Sequence, residues 1–308
     1  MKYLPMLCKK GTKELLRSKE YIFEPKLDGT RCIAEINEEV NLFNRREKNI
    51  RKRYPFICQE LKKYKGMVFD GEIVCYNKDG IPDFYLLQKR EHIDNEFVIE
   101  IKAKLIPATY VIFDILEIDG KSLIDKPLEE RKEILDDLFE KSEHLELIFS
   151  TPNGEALWKE IIKRNMEGVI AKKLGSKYYP GERRKEWLKI KNTKTIDVVI
   201  VGYTQEIREI SALAMALWKD GKLYYIGKVG TGFDEEIMNY MLKNFEKVDS
   251  PPVVNPEDAP ENVIWVKPKF IAEVEYLEMT KDNELRAPAF KRLREDKSIE
   301  ECTFEQVE

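Results

Sequence analysis

Glu24-Pro25-Lys26-Leu27-Asp28-Gly29-Thr30-Arg31 is the stretch on which the reading of this chain turns. Tyr21-Ile22-Phe23 before it reads as the end of a strand, and Arg31-Cys32-Ile33-Ala34-Glu35-Ile36 reads as the next strand. Gly29 permits a tight turn between them. A lysine at such a strand–turn–strand edge can project its amine into a pocket. To attack a phosphorus atom that amine must first lose its proton. Burial and neighbouring cations lower a lysine pKa, and lysine shifts more readily than arginine. Lys-x-Asp-Gly is short, and a lysine beside an Asp-Gly turn is usually a solvated hairpin residue. The rest of the chain decides between the two.

A length of 308 residues suits roughly two domains. Hydrophobic residues at 43% and aromatic residues at 10% are enough for packed cores, which excludes a disordered chain. No apolar run reaches the ~18 residues of a membrane span. No signal-type apolar stretch follows Met1-Lys2-Tyr3-Leu4-Pro5. A soluble cytoplasmic protein with no membrane partner is expected. The five cysteines (Cys8, Cys32, Cys58, Cys75 and Cys302) form no Cys-x-x-Cys pair, which argues against structural zinc and against a disulfide framework. A net charge of −4 speaks against nucleic acid, but its distribution speaks for it. Ten Lys/Arg stand against three Glu between Lys163 and Lys191, and six Lys/Arg against one Glu between Arg45 and Arg53. Local basic surface matters more for phosphate contact than the total. High charge content also suits a thermophilic origin.

Along the chain, residues 1–20 read as a short leading segment and 21–44 as strands. Helices are predicted over 54–64, 83–92, 128–139 and 155–164, with Pro127 suited to the first turn of the third. Strands are predicted over 67–75, 110–116, 167–172 and 187–191. Asp70, Glu72 and Asp114 fall inside strands, and a carboxylate in a half-buried strand needs a partner or a metal. Alternation puts Lys189 and Lys191 on the same side as Trp187. The character changes near Asn192. After it come a strand over 196–203, a hairpin 212–219/223–229 across Asp220-Gly221, a helix over 233–245, a Pro-rich loop, two strands over 263–266 and 271–277, and a basic tail. Short strands with one helix suggest a small β-barrel. The expected domains are therefore 1–192 and 193–308.

Lys26, Arg31, Glu72, Glu167, Lys189 and Lys191 form a set suited to nucleotidyl transfer: one amine nucleophile, two carboxylates, and further cations. The carboxylates could hold a hard divalent cation, Mg²⁺ first and Mn²⁺ as the alternative. That cation and the extra lysines would neutralise a triphosphate and lower the Lys26 pKa. Phe113 could stack on a purine.

The ordered series Lys26–Arg31, Phe69-Asp70-Gly71-Glu72, Phe113-Asp114, Glu167-Gly168-Val169-Ile170-Ala171-Lys172, Trp187-Leu188-Lys189-Ile190-Lys191 and the tail ending Arg294-Glu295-Asp296-Lys297 resembles the covalent nucleotidyltransferases. Among them it resembles the ATP-dependent DNA ligases, most closely the ligase domain of bacterial and archaeal non-homologous end-joining ligases. The resemblance runs from about residue 3 to residue 300. It implies an α+β fold: a nucleotidyltransferase domain, ATP-grasp-like, of antiparallel sheets with helices, followed by an OB-fold β-barrel. It implies ATP as cofactor and a three-step reaction. Lys26 takes AMP from ATP as a phosphoramidate, AMP passes to the 5′-phosphate of a nick in duplex DNA, and the 3′-hydroxyl displaces it. Arg31 and Glu72 would contact the ribose or the metal side of the nucleotide. Phe113 would stack on adenine, and Glu24 would read its amino group. Glu167 would bind the metal, and Lys189 and Lys191 the α-phosphate. Arg183 would lie near the nucleotide. Arg294, Asp296 and Lys297 would orient the departing pyrophosphate, which requires the OB domain to swing over the nucleotide and then away.

The family's Ser-Arg-Asn-Gly is replaced here by Asn44-Arg45-Arg46-Glu47. Arg45 aligns with the family arginine, with Arg46 as competitor. The chain reads as a minimal two-domain ligase, expected to be a monomer. A Ku-like end-binding protein and separate repair polymerase and phosphoesterase proteins are the partners that the resemblance implies. The rival readings are an RNA ligase or mRNA-capping nucleotidyltransferase, and a non-catalytic OB-type nucleic-acid-binding protein. Nucleotide choice and the presence of a covalent adduct separate them.

Overall fold

Alternating polarity in the first unit of the chain, Met1–Asn192, builds strands β1 (Leu7–Lys10), β2 (Tyr21–Pro25), β3 (Thr30–Ile36), β4 (Val40–Asn44), β5 (Met67–Val74), β6 (Thr109–Ile118), β7 (Lys121–Ser122), β8 (Leu145–Leu147), β9 (Gly168–Lys173) and β10 (Arg183–Lys191). Its helices are α1 (Pro55–Leu61), α2 (Phe84–Gln88), α3 (Glu96–Leu105), α4 (Leu128–Leu138) and α5 (Gly154–Lys163). The computed structural model describes every residue except Glu91, His92, Asp94, Ile207 and Glu308. No helix among the described residues is long and apolar enough to cross a membrane.

One sheet runs β4-β3-β5-β6-β7, with β8 parallel to β6. The other runs β1-β10-β9-β2, with β1 parallel to β10 and the remaining neighbours antiparallel. A layer of Met6, Ile33, Val68, Phe113, Leu116, Tyr178 and Trp187 draws on strands of both sheets and forms the core behind the site. Helices α1 and α4 and strands of the first sheet share a second core around Ile57, Leu61, Phe69 and Leu135, and α5 covers the second sheet through Leu157, Trp158 and Ile161.

Three local expectations change in three dimensions. β2 and β3 do not form a hairpin, because β2 pairs with β9 and β3 with β4 and β5. Lys26–Gly29 is the crossing from one sheet to the other. Gly29 is required there by proximity, since a Cβ would fall 2.3 Å from the Ile73 carbonyl oxygen. The leading segment is not peripheral, because β1 adds an edge to the second sheet and Met6 is fully buried. Helix α3 has no expected counterpart. Its Phe97, Ile101 and Leu105 face outward while Ile99 and Ala103 are buried, so apolar residues occur on both sides and the 3.6-residue signal is blurred. The helix expected over 83–92 is the shorter α2, capped by Asp83, which accepts from the Leu86 N–H at 3.1 Å; Glu91 and His92 lie outside the described residues.

The second unit, Thr193–Glu308, is one antiparallel sheet of β11 (Lys194–Thr204), β12 (Ala212–Lys219), β13 (Lys222–Val229), β14 (Val263–Tyr276) and β15 (Ala289–Leu293), in the order β13-β12-β11-β14-β15. Bulges at Ile200/Gly202, Ala214/Ala216 and Glu273/Val274 curl it. The edges approach each other where Phe290 N–H donates to Thr231 O at 2.8 Å and Leu285 N–H to Ile226 O at 3.3 Å. This is the OB-type half-barrel expected from the sequence. Helix α6 (Glu235–Asn244) packs Met241 into its core. The two strands expected over 263–277 are a single strand. Pro268, which cannot donate to a ladder, falls where the pairing skips from Trp265 to Phe270, and the bulge absorbs it.

Candidate active site

Strand pairing explains why Lys26 meets Glu167. The Lys26 N–H donates to the Gly168 carbonyl at 2.8 Å, which extends the β2–β9 ladder by one residue. Gly168 has φ +149°, and a Cβ there would lie 2.2 Å from Ile190 O, so only glycine lets β9 approach β10 this closely. Glu167 precedes it, and its Oε2 accepts from Lys26 Nζ at 2.5 Å. Lys191 Nζ stands 3.7 Å from the other oxygen. Lys26 opens onto a cleft of about 220 Å³, whose lining includes neither Glu167 nor Lys191. Glu24, Lys26, Arg31, Arg45, Glu72, Phe113, Arg183 and Lys189 all line it. Arg45 is therefore among its walls, and Arg46 is not. Burial and the neighbouring cations Lys191, Lys26 and Arg183 lower the Lys189 pKa. Arg183 is steadied by donating to the Cys8 carbonyl at 2.5 Å.

The mid-strand acids separate by their partners. Arg31 lies opposite Glu72 in the β3–β5 register, yet its guanidinium reaches diagonally to Asp70, with Nε–Oδ1 2.7 Å and Nη2–Oδ2 2.6 Å. Tyr178 donates a further bond to Asp70 at 2.7 Å. Asp114 accepts a bidentate pair from Arg131 at 2.8 and 2.9 Å, both side chains being 0% exposed. Glu72 has neither an ion pair nor a side-chain hydrogen bond among the described residues. Burial pushes its carboxyl up to about 7, Arg31 and Lys26 opposing, Asp70 and Glu167 adding to the rise. The two acids that found arginines hold the fold, and the one that did not faces the cleft.

Glu72 and Glu167 fit a hard divalent cation. Both are oxygen donors near the Lys26 amine, and the charge of Glu167 adds to the cost of ionising Glu72 unless a cation intervenes. No cluster of three or more His, Cys, Asp or Glu is present among the described residues.

Phe113 is 7% exposed and meets Trp187 edge-on at 6.2 Å. The Arg31 guanidinium lies 4.4 Å and Lys172 Nζ 4.3 Å from its ring centre, so a base stacking there must share the ring with cations. Arg294, Asp296 and Lys297 belong to the second unit. Arg294 makes a bidentate pair with Asp296 (2.8 Å to each oxygen) and also donates to Asp197 at 3.0 Å. The Asp296 hydrogen bonds raise the Arg294 pKa further, and Arg294 in turn lowers that of Asp296. Lys297 Nζ pairs with Glu301 at 3.0 Å.

Sequence reasoning missed Lys172, which lines the cleft and is pushed down to about 8 by burial. A lysine ending the apolar strand 168–172 was the available signal. It also missed Asp70 and Tyr178 as the anchor of Arg31, and Lys132 and Ser150, which reach Glu24. Lys132 is one charge among many on a charged helix and gave no signal.

Known families match this arrangement. The family model described as ATP dependent DNA ligase domain matches residues 5–191, and that of the ATP dependent DNA ligase C terminal region matches residues 206–297. The multifunctional non-homologous end joining protein LigD of Mycolicibacterium smegmatis is 31% identical over 98% of this chain and 40% of its own length. A DNA ligase of Thermococcus onnurineus is 31% identical over 94% of this chain and 54% of its own. The chain thus spans about half or less of these relatives. A solved mycobacterial DNA ligase D, complexed with ATP and MES, is 30% identical over 98% of both chains with a TM-score of 0.56. With the first unit and most of the OB half-barrel each covered by a matching model, the chain belongs to the ATP-dependent DNA ligase family.

Proposed function

We propose that this chain seals 5′-phosphate/3′-hydroxyl nicks in duplex DNA through a lysyl-AMP intermediate made from ATP, in double-strand-break repair by end joining. One observation carries the reading: the Lys26 amine stands 2.5 Å from a carboxylate oxygen in a cleft walled by further lysines and arginines. Glu167 Oε2 is the acceptor in line for the Lys26 proton. With that proton gone, Nζ attacks the α-phosphorus, the N–P bond forms, and pyrophosphate leaves with the electrons of the broken P–O bond. Lys189, Arg183 and Lys191 offset the phosphate charge as it shifts. Glu72 and Glu167 would hold Mg²⁺, or Mn²⁺ in its place, which supplies charge neutralisation at the phosphates. AMP then moves to the 5′-phosphate of the nick, and the 3′-hydroxyl displaces it. The repair setting rests on the LigD relative, named for non-homologous end joining. Nicked duplex DNA is the proposed substrate, with a Ku-like end-binding protein and separate repair polymerase and phosphoesterase as partners.

The test is to incubate the chain with α-labelled ATP or GTP and Mg²⁺, then chase with nicked duplex DNA. Label from ATP alone, acid-labile and alkali-stable, discharged as AMP with a sealed strand, is expected. Label from GTP would move the chain to the capping class, and no adduct would leave a nucleic-acid-binding protein.

The second unit has its own test. Arg294→Ala is expected to lower adenylylation of Lys26 far more than sealing of a pre-adenylylated nick, since pyrophosphate departs only in the first step. Equal loss on both substrates would remove the pyrophosphate role and point instead to the broken Asp197–Arg294–Asp296 cluster.

A further inference from the structure

Glu24 is 2% exposed, and a carboxylate so far from water needs donors. It has them on both oxygens. Oε1 accepts from Lys132 Nζ and from Ser150 Oγ at 3.0 Å. Oε2 stands 2.7 Å from Lys172 Nζ. Lys132 Nζ also donates to Ser150 Oγ at 3.2 Å, which closes a triangle. The two lysines come from different elements, Lys132 from α4 and Lys172 from β9. Arg131, the residue before Lys132, is held in turn by Asp114. Burial would push the Glu24 carboxyl up, but the two ammonium groups outweigh it and hold it below the ordinary carboxylate range. A carboxylate offers about four lone-pair sites. Both on Oε1 are taken, while Oε2 has the Lys172 ammonium beside it and acceptor capacity left, on a residue that lines the cleft.

We propose that Lys132 is a specificity-determining positioning residue: with Ser150 and Lys172 it fixes Glu24 as an ionised, acceptor-only wall that takes a purine with an amino group at position 6 and rejects one with a carbonyl there. The proposal rests on the nucleotidyl-transfer reading above and deepens it. A 6-amino group brings a proton to the remaining lone pair. A 6-oxo group brings a second acceptor against a carboxylate, with no proton between them, and both lose their water on binding. Lys132 lines a neighbouring cavity with Glu129, Asp136 and Phe149 and is not a wall of the cleft, so it acts on the base only through cleft residues beside it, Glu24 by direct contact and Lys172 by charge.

The experiment uses the full chain and compares wild type, Lys132→Met and Lys132→Arg. Labelling of Lys26 is followed with α-labelled ATP and with α-labelled inosine triphosphate, whose base is 6-oxo, and kcat/KM is taken for each. Wild type should favour ATP by ~100-fold or more, because a site built around a hydrogen bond strongly rejects a partner that cannot complete it. Lys132→Met should narrow the ratio by about tenfold, the order of one charge-assisted hydrogen bond, and Lys132→Arg should restore most of it. The ratio is taken within one protein, so a partly folded population does not move it. If Lys132→Met labels too weakly to follow, the relative binding of ATP and inosine triphosphate by tryptophan fluorescence replaces it. A ratio unchanged in Lys132→Met, or a wild type that labels equally from both, overturns the proposal alone. A wild type that labels from neither overturns the nucleotidyl-transfer reading, and the proposal with it.

Discussion

Replacing Lys26 by alanine is expected to abolish formation of the labelled adduct and sealing from ATP, with the fold intact. The chemical loss is expected to be total because, among the described residues, no other amine stands at the Glu167 carboxylate in the same way: Lys191 is 3.7 Å away and Lys26 is at 2.5 Å. The structural cost is modest. The Lys26 side chain is partly exposed, and its removal leaves Glu167 with Lys191 beside it rather than an unpaired buried charge. The pair is mostly buried, 23% and 11% exposed, so its loss costs more than the ~1 kcal/mol of a surface pair, with Lys191 offsetting part of it. The circular dichroism spectrum should therefore match wild type, with a modest fall in the unfolding midpoint. Lys26→Arg should be as inactive as alanine, since a guanidinium keeps the charge but does not give up a proton near neutral pH. An unfolded Lys26→Ala would make the residue structural. A labelled Lys26→Ala would place the nucleophile elsewhere.

Asp114→Ala is expected to destabilise the first unit by about 3–5 kcal/mol, the range for removing one partner of a buried ion pair. Arg131 is completely buried and donates to Asp114 twice, to Lys126 O at 2.6 Å and to Ser176 O at 3.1 Å. Without the carboxylate, a guanidinium remains in the core with only carbonyl partners. α4 would have to shift to hydrate it. Urea unfolding measures the loss. Pairing Asp114→Leu with Arg131→Met should recover much of it, because apolar side chains of similar size carry no desolvation penalty. A change in Asp114→Ala below ~1 kcal/mol would mean that the pair is solvated in solution and does not anchor α4.

These two residues show how far the sequence could be read. Lys26 stood out because Lys-x-Asp-Gly is followed, in order, by acids and lysines on strands whose alternation gives their facing. Alternation put Lys189 and Lys191 on the side of Trp187; Trp187 and Lys189 line the cleft, and Lys191 is not among its lining residues. Asp114 stood in the same kind of position as Glu72, an acid within an apolar strand, and strand alternation alone gave no reason to place Glu72 in the site and leave Asp114 out. Their difference lies in Arg131, seventeen residues from Asp114 on a helix, and in Arg31, which chose the diagonal Asp70 over the opposite Glu72. Helix α3 was missed because its apolar residues face both ways, and the β2–β3 hairpin was wrongly expected because adjacent strands were assumed to pair.

The sequence by itself determined the family, the strand content and the change of character near Asn192, and it singled out Lys26 as the proposed nucleophile. These are properties of residue order and of short-range alternation, and they survive without knowledge of what packs on what. Tertiary structure alone decided which sheet each strand joins, and so made Lys26 a crossing between sheets rather than the tip of a hairpin. It also decided which acids are neutralised and which is left for the cleft, and it brought Lys132, Ser150 and Lys172 to Glu24 from 108, 126 and 148 residues away. The reason is physical: the ionisation and orientation of a carboxylate depend on burial and on charges within a few ångströms, and those neighbours are set by chain crossings that no local pattern encodes.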